Sequence, residues 1–330
     1  MSARPSSHRL PRLREAGILF FILAIAATAR AVQPAFFQSE NLRNILLDLP
    51  IIVTAAMGMS LVLLTRQIDL SVGSALGLCG MAVGLTLKSH PQLSVGTAMA
   101  LGVGLGALLG AVNGALVTVT AIPPIIATLG TLSIYRGLAF MVAHGREIDP
   151  SDVPQRLLNL SRGSAAGAPV IVWVAAAVAT ATGLFLARMR SGRSLYAVGG
   201  NPDAARLAGI NVNLCKFLAF VASGALAGLA AVLYASRFGF VNPGETGVGF
   251  ELAVIAACVI GGIDVFGGVG SISGALLGCL LLAVMNNALA VTGLSGRWQL
   301  AAYGAMILLG IGSDALIRAR RGEVSPADVY

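Results

Sequence analysis

Charge is scarce in this sequence. Of its 330 residues, 11% are Asp, Glu, Lys or Arg, where a soluble globular domain carries about 25%. Aromatic residues make up 6%. The three histidines, His8, His90 and His144, are scattered over tails and loops, so no metal cluster or nucleophile–base set can be assembled around them. The four cysteines, Cys79, Cys215, Cys258 and Cys279, include no C-x-x-C pair and sit in or beside apolar runs, as small core residues do. A phosphate-cradling loop needs G-x-x-x-x-G-K-[ST]. The single Lys-Ser, Lys88-Ser89, has Leu87 and Ala82 where the glycines belong. These absences exclude a soluble globular enzyme, a zinc module and a nucleotide-hydrolysing chain; no catalytic residue and no metal site are assigned.

What the chain has instead is apolar length. Hydrophobic residues reach 56%, in runs near the ~20 residues that a bilayer core demands. The runs are continuous and do not alternate, which predicts helices and not a barrel. The 41 glycines suit helices that must approach closely. The expected fold is all-α and polytopic, with ten spans at 17–32, 45–64, 68–87, 93–119, 122–143, 168–187, 214–236, 250–268, 271–293 and 299–317. The eighth is short and rich in Gly. Residues 17–32 read as a retained first span, although the basic segment before them and the "ATARA" near their end also fit a signal peptide. Pro50 predicts a kink or a late helix start in the second span.

The charge pattern tests this count. Arg4, Arg9, Arg12 and Arg14 precede the spans, Arg188, Arg190, Arg193 and Arg206 lie between the sixth and seventh, and Arg318, Arg320 and Arg321 follow the last. Ten spans put all three groups on one side, which the positive-inside rule makes the cytoplasm. Both termini are then cytoplasmic, and the net charge of +8 is topology signalling, not a nucleic-acid surface. The expected organisation is one transmembrane domain over 1–330, with a basic tail at 1–16, a cytoplasmic loop at 188–213 and a tail at 318–330.

The 188–213 loop is the longest polar stretch on that side. In "NPDAARLAGI" Asn201 suits an N-cap, Pro202 the first helical position and Gly209 the position past the end. A short structured helix there can dock a cytosolic partner or lie at the membrane interface.

Several stretches together resemble a known family. "GRSLYAVGGNPDAARLAGINV", "IDLSVGS" at 68–74, "GAVNGALV" at 110–117, "IPPIIATLGTLSIYRG" at 122–137 and "FELAVIAACVIGGIDVFGGVGSISGALLG" at 250–278 resemble, in order, motifs of the permease subunits of sugar-type ABC importers. This is the ribose, xylose, rhamnose and autoinducer-2 group, and the autoinducer-2 permeases are closest in appearance. Gln67, where the family often has Gly, and Asp264, where it has Thr or Ser, are departures. The resemblance implies an inner-membrane subunit that forms the path for a sugar-like solute. Its partners would be a second permease (the same or different), a cytosolic ATP-binding subunit carrying ATP and Mg, and a periplasmic solute-binding protein. This chain itself would bind no cofactor. The matching coupling-loop residues are Gly192, Arg193, Tyr196, Gly199, Asn201, Ala204, Ala205 and Gly209.

Polar groups inside spans are costly and raise a transport role for each. The path candidates are Asn113, Thr128, Tyr135, Arg136, Asn286 and Asn287. Interhelical hydrogen bonding is the competing reading for the asparagines, snorkelling for Arg136, and bonding within its own helix for Thr128. Asp69 and Asp264 fall near the cytoplasmic edge and read as structural helix caps, against a direct transport role. The remaining functional class, an ion-coupled secondary transporter, would use midplane carboxylates or unwound helices.

Overall fold

The computed structural model describes residues 9–294 and 297–320. Arg4, His8, Arg321 and most of the 318–330 tail lie outside the described residues. The chain forms α1 Arg9–Val32, α2 Ser39–Leu64, α3 Val72–Ser89, α4 Val95–Thr118, α5 Pro124–Ala143, α6 Gln155–Arg162, α7 Val170–Arg188, α8 Arg190–Gly200, α9 Pro202–Leu207, α10 Val212–Phe238, α11 Phe250–Ile260, α12 Ile272–Val291 and α13 Arg297–Arg320. A two-residue hairpin, Ser164–Ala165 with Ala168–Pro169, is the one sheet among the described residues.

Eight helices are long and apolar enough to cross a membrane, and two shorter apolar stretches lie at Phe250–Ile260 and Trp298–Leu309. These ten match the ten expected spans one to one. The eighth differs in kind. Its helix has 11 residues, about 16 Å at 1.5 Å per residue, against a hydrocarbon core of about 30 Å. Residues 261–271 then leave the helix through turns, with Gly262, Gly267 and Gly268 at positive φ. Residues 239–249 lead into it without regular structure. Pro50 does not mark a late helix start. It lies inside a helix that already begins at Ser39, because the following turns of α2 are buried on all sides and hold it helical.

Helices α2 and α10 form the centre, with α3, α4, α11 and α12 against them. The glycines explain the closest approach. A Cβ on Gly106 of α4 would collide with the Gly224 carbonyl of α10, and one on Gly228 with the Gly102 carbonyl. The two backbones therefore touch, and dispersion acts over the whole contact. A second glycine row, Gly73, Gly77, Gly80 and Gly84 on α3, forms a floor. On it lie Gly247, Thr246, Val241 and Ile148 in turn, so the irregular 239–249 segment runs alongside α3. Isolated bridging between Ile148 and Val241 ties this segment to the 144–169 region, which closes over the ends of α3 and α10 as a second apolar cluster. Lys88 and Asp152 pin the region at 2.8 Å, and the Lys88 ammonium holds the Asp152 carboxyl below the usual carboxylate range.

Large apolar side chains on α1 (Phe20, Phe21), α4 (Leu101, Leu108), α5 (Ile126, Leu129) and α7 (Leu184) are exposed, as lipid-facing surfaces must be. Among the described residues no buried side-chain nitrogen or oxygen lacks a partner.

Candidate functional site

Helices α8 and α9 make up the 190–207 segment. Asn201 caps α9, its side-chain oxygen accepting from the Asp203 and Ala204 N–H groups, with Pro202 at the first position. Gly209 follows at φ +80. The eight residues singled out in this loop divide into two faces. Gly192, Gly199 and Ala205 are buried and point inward. Ala205 joins Val198 and Val212 in a small core. A Cβ on Gly192 would strike the Phe185 carbonyl, and one on Gly199 the Leu64 carbonyl and the Gly268 N–H. Tyr196 is half-buried, its hydroxyl donating to the Gly270 carbonyl at 3.2 Å, and burial pushes that hydroxyl's pKa up. Arg193, Asn201, Ala204 and Gly209 are exposed. Leu207, which sequence reasoning missed, is 91% exposed beside them. An apolar side chain at the tip of a polar loop was legible as a signal and was passed over.

Gly199 marks a junction. The Gly268 N–H donates to the Leu64 carbonyl at 3.1 Å, and Gly267 packs on Arg66. The turns of "GIDVFGGVGS" at 262–271 thus meet the end of α2, just before "QIDLSVGS" at 67–74, and the end of α8. In both, the aspartate accepts the N–H two residues on: Ser71 N–H to Asp69 at 3.0 Å and Phe266 N–H to Asp264 at 2.9 Å.

Their surroundings differ, and both cap assignments need correction. Ser71 occupies the N-cap position of α3, and Asp69 lies two residues before it, 1% exposed. Its Oδ1 also accepts from the Ser71 hydroxyl at 2.7 Å and from Asn113 Nδ2 at 3.4 Å. Its Oδ2 accepts from the Ser223 hydroxyl at 3.4 Å. Ser223 is near the middle of α10 and Asn113 more than a turn inside α4, so the 65–71 segment climbs inward and Asp69 is a buried hub, not an edge residue. Among the described residues it forms no ion pair; Arg66 is exposed. Asp264 shapes its own turn, while Ser271 caps α12 by accepting from the Gly274 N–H at 3.1 Å.

The path candidates separate likewise. Asn113 and Tyr135 belong to the Asp69 hub. The Tyr135 hydroxyl donates to the Leu109 carbonyl at 2.8 Å and lies 3.3 Å from Asn113 Oδ1. Thr128 donates to Pro124 of its own helix at 2.8 Å. Asn287 exchanges hydrogen bonds with Asn41 of α2 at 2.8 and 2.9 Å, and Asn286 accepts from Tyr303 at 2.8 Å. These two asparagines are interhelical links. Arg136 Nη1 donates to the Pro243 and Thr246 carbonyls at 3.0 and 2.7 Å. Asp48 pairs with Arg237 at 2.7 Å.

A bundle of ten apolar helices, with polar groups joined across it and a structured loop at one end, defines a multi-pass membrane protein. The family model for the permease component of branched-chain amino acid transport systems matches residues 41–311. The chain is similar to the autoinducer 2 import system permease protein LsrC of Klebsiella pneumoniae, with 40% identity over 93% of this chain and 90% of that protein. It is likewise similar to LsrC of Yersinia enterocolitica, with 39% identity over 90% and 81%, and of Photorhabdus laumondii, with 36% over 92% and 90%. No solved structure matches. The chain belongs to this family of ABC-importer permeases and is a multi-pass protein of the bacterial inner membrane. The edge position expected for the aspartates does not hold for Asp69, which is buried.

Proposed function

We propose that this chain is the membrane-spanning subunit of an ATP-driven importer for a sugar-like solute, with autoinducer-2 the first candidate. The observation that carries this reading is the 40% identity to an autoinducer-2 import permease over 93% of the chain. A second permease completes the path, a periplasmic binding protein delivers the solute, and ATP is hydrolysed on a separate cytosolic subunit. The outer face of α8–α9, with Arg193, Asn201, Ala204 and the exposed Leu207, receives that subunit. Its inner face passes movement through Gly199 to the ends of α2 and the 261–271 turns. Interlocked backbones suit this task, since packed contacts transmit displacement and do not absorb it.

Deleting the gene and measuring uptake of labelled autoinducer-2, ribose and rhamnose tests the reading. Loss of autoinducer-2 uptake, restored by the intact chain, is expected. Unchanged uptake of all three removes the solute assignment.

A further inference from the structure

Arg136 and Glu251 come together on the glycine floor of α3. The Glu251 carboxylate lies against Gly73, where any Cβ would overlap it, and the Arg136 guanidinium lies over Gly77, its Nη1 3.1 Å from where a Cβ would stand. Gly73 and Gly77 are one helical turn apart, so the two charges lie over neighbouring turns of the same helix. They make no direct ion pair among the described residues. The Glu251 carboxylate rests beside the N–H groups of Gly249 and of Glu251 itself, at the start of the half-length α11. The Arg136 Nη1 is saturated by the Pro243 and Thr246 carbonyls. Its Nε and Nη2 have no protein partner among the described residues, where every buried side-chain nitrogen is satisfied, so these donors open on accessible space.

The depth gives this its meaning. Arg136 lies about two thirds of the way along α5, well inside a membrane-crossing helix. A guanidinium with open donors at that depth does not face hydrocarbon; it faces a water-filled cavity or path. Toward the 144–169 end the same surface continues through Glu245 and Asn242, the latter hydrogen-bonded to Glu147. Val248, three residues before Glu251, is 58% exposed.

We propose that Arg136 and Glu251 form a hydroxyl-binding step midway along the translocation path, reached from outside past Glu147, Asn242 and Glu245. Hydroxyl groups of a solute can accept from the guanidinium and donate to the carboxylate. The ligand class is therefore a small, neutral, polyhydroxy solute, which rests on the importer reading above. One donor and one acceptor on a fixed floor give weak, directional binding, as a path that must release its cargo requires.

The test has two arms, both in cells carrying the whole transport system. In a Cys215→Ser background, where the remaining cysteines are buried, Val248→Cys should react with a charged thiol reagent that does not enter lipid, and Leu108→Cys on the exposed apolar face of α4 should not. Glu251→Gln should lower the uptake rate about tenfold or more, the worth of one charge-assisted hydrogen bond, while the protein still reaches the membrane and still co-purifies with its ATP-binding subunit. Val248→Cys reacting only with apolar, membrane-permeant reagents overturns the proposal, and so does wild-type uptake by Glu251→Gln. The labelling arm does not depend on which solute moves or what drives it. It decides the path assignment even if the importer reading fails.

Discussion

Replacing Gly199 by Ala separates the two roles assigned to the α8–α9 loop. The added methyl overlaps the Leu64 carbonyl and crowds the Gly268 N–H, so α8 must lift by about an ångström or more, and the Gly268–Leu64 hydrogen bond of 3.1 Å stretches beyond useful length. Overpacking of this kind costs about 1–3 kcal/mol, and the lost hydrogen bond adds about 1 kcal/mol. Neither change touches the outer face, where Arg193, Asn201, Ala204 and Leu207 stay exposed. The expected phenotype is a permease that still co-purifies with its ATP-binding subunit but whose uptake falls about tenfold or more, because movement at α8 no longer reaches α2 faithfully. Leu207→Asp should do the opposite, removing co-purification while the purified permease stays folded. The assays are pull-down from detergent-solubilised membranes and initial uptake rate. Loss of co-purification in Gly199→Ala with normal behaviour in Leu207→Asp would refute this division of faces.

Other substitutions follow from the same geometry. Asp69→Asn keeps an oxygen for Ser71 and Asn113 and can donate to Ser223, so it should cost less than about 1.5 kcal/mol, whereas Asp69→Ala strands buried donors at about 2–4 kcal/mol. Thermal unfolding in detergent reads the difference, and a stable Asp69→Asn protein without uptake would assign the carboxylate to transport. Gly106→Leu should force α4 from α10 and abolish monodisperse protein; a well-folded variant would contradict the backbone contact. Ser271→Ala should destabilise α12 by about 1 kcal/mol as a lost N-cap, with hydrogen exchange faster at residues 272–275, while Asp264→Ala leaves that exchange unchanged.

Much of the fold was legible because bilayer length and uninterrupted apolarity leave few alternatives. The α9 helix was legible to the residue, because Asn201, Pro202 and Gly209 each have a local conformational reason to stand where they do. What was not legible depended on distant contacts. The 250–268 run is apolar enough to span, yet Gly262, Gly267 and Gly268 let the chain leave the helix and pack on Leu64 and Gly199. Asp69 sits between two apolar runs and looked like an edge residue. Only Ser223, far away in sequence, shows that the linker climbs inward. Gly199 and Ala205 match the coupling loop, but small residues suit any close contact, and sequence does not say on which side. Glu251 was passed over because it opens an apolar helix, where an acidic residue is ordinary.

In the proposed function this chain passes a solute inward on energy supplied by another subunit. Its most direct test is uptake by proteoliposomes holding the purified permease, its second permease and the ATP-binding subunit, with the binding protein and labelled solute outside. Uptake should require ATP inside, be abolished by a non-hydrolysable analogue, and persist when proton and sodium gradients are collapsed. Uptake by the permease alone, driven by an ion gradient without ATP, would contradict it.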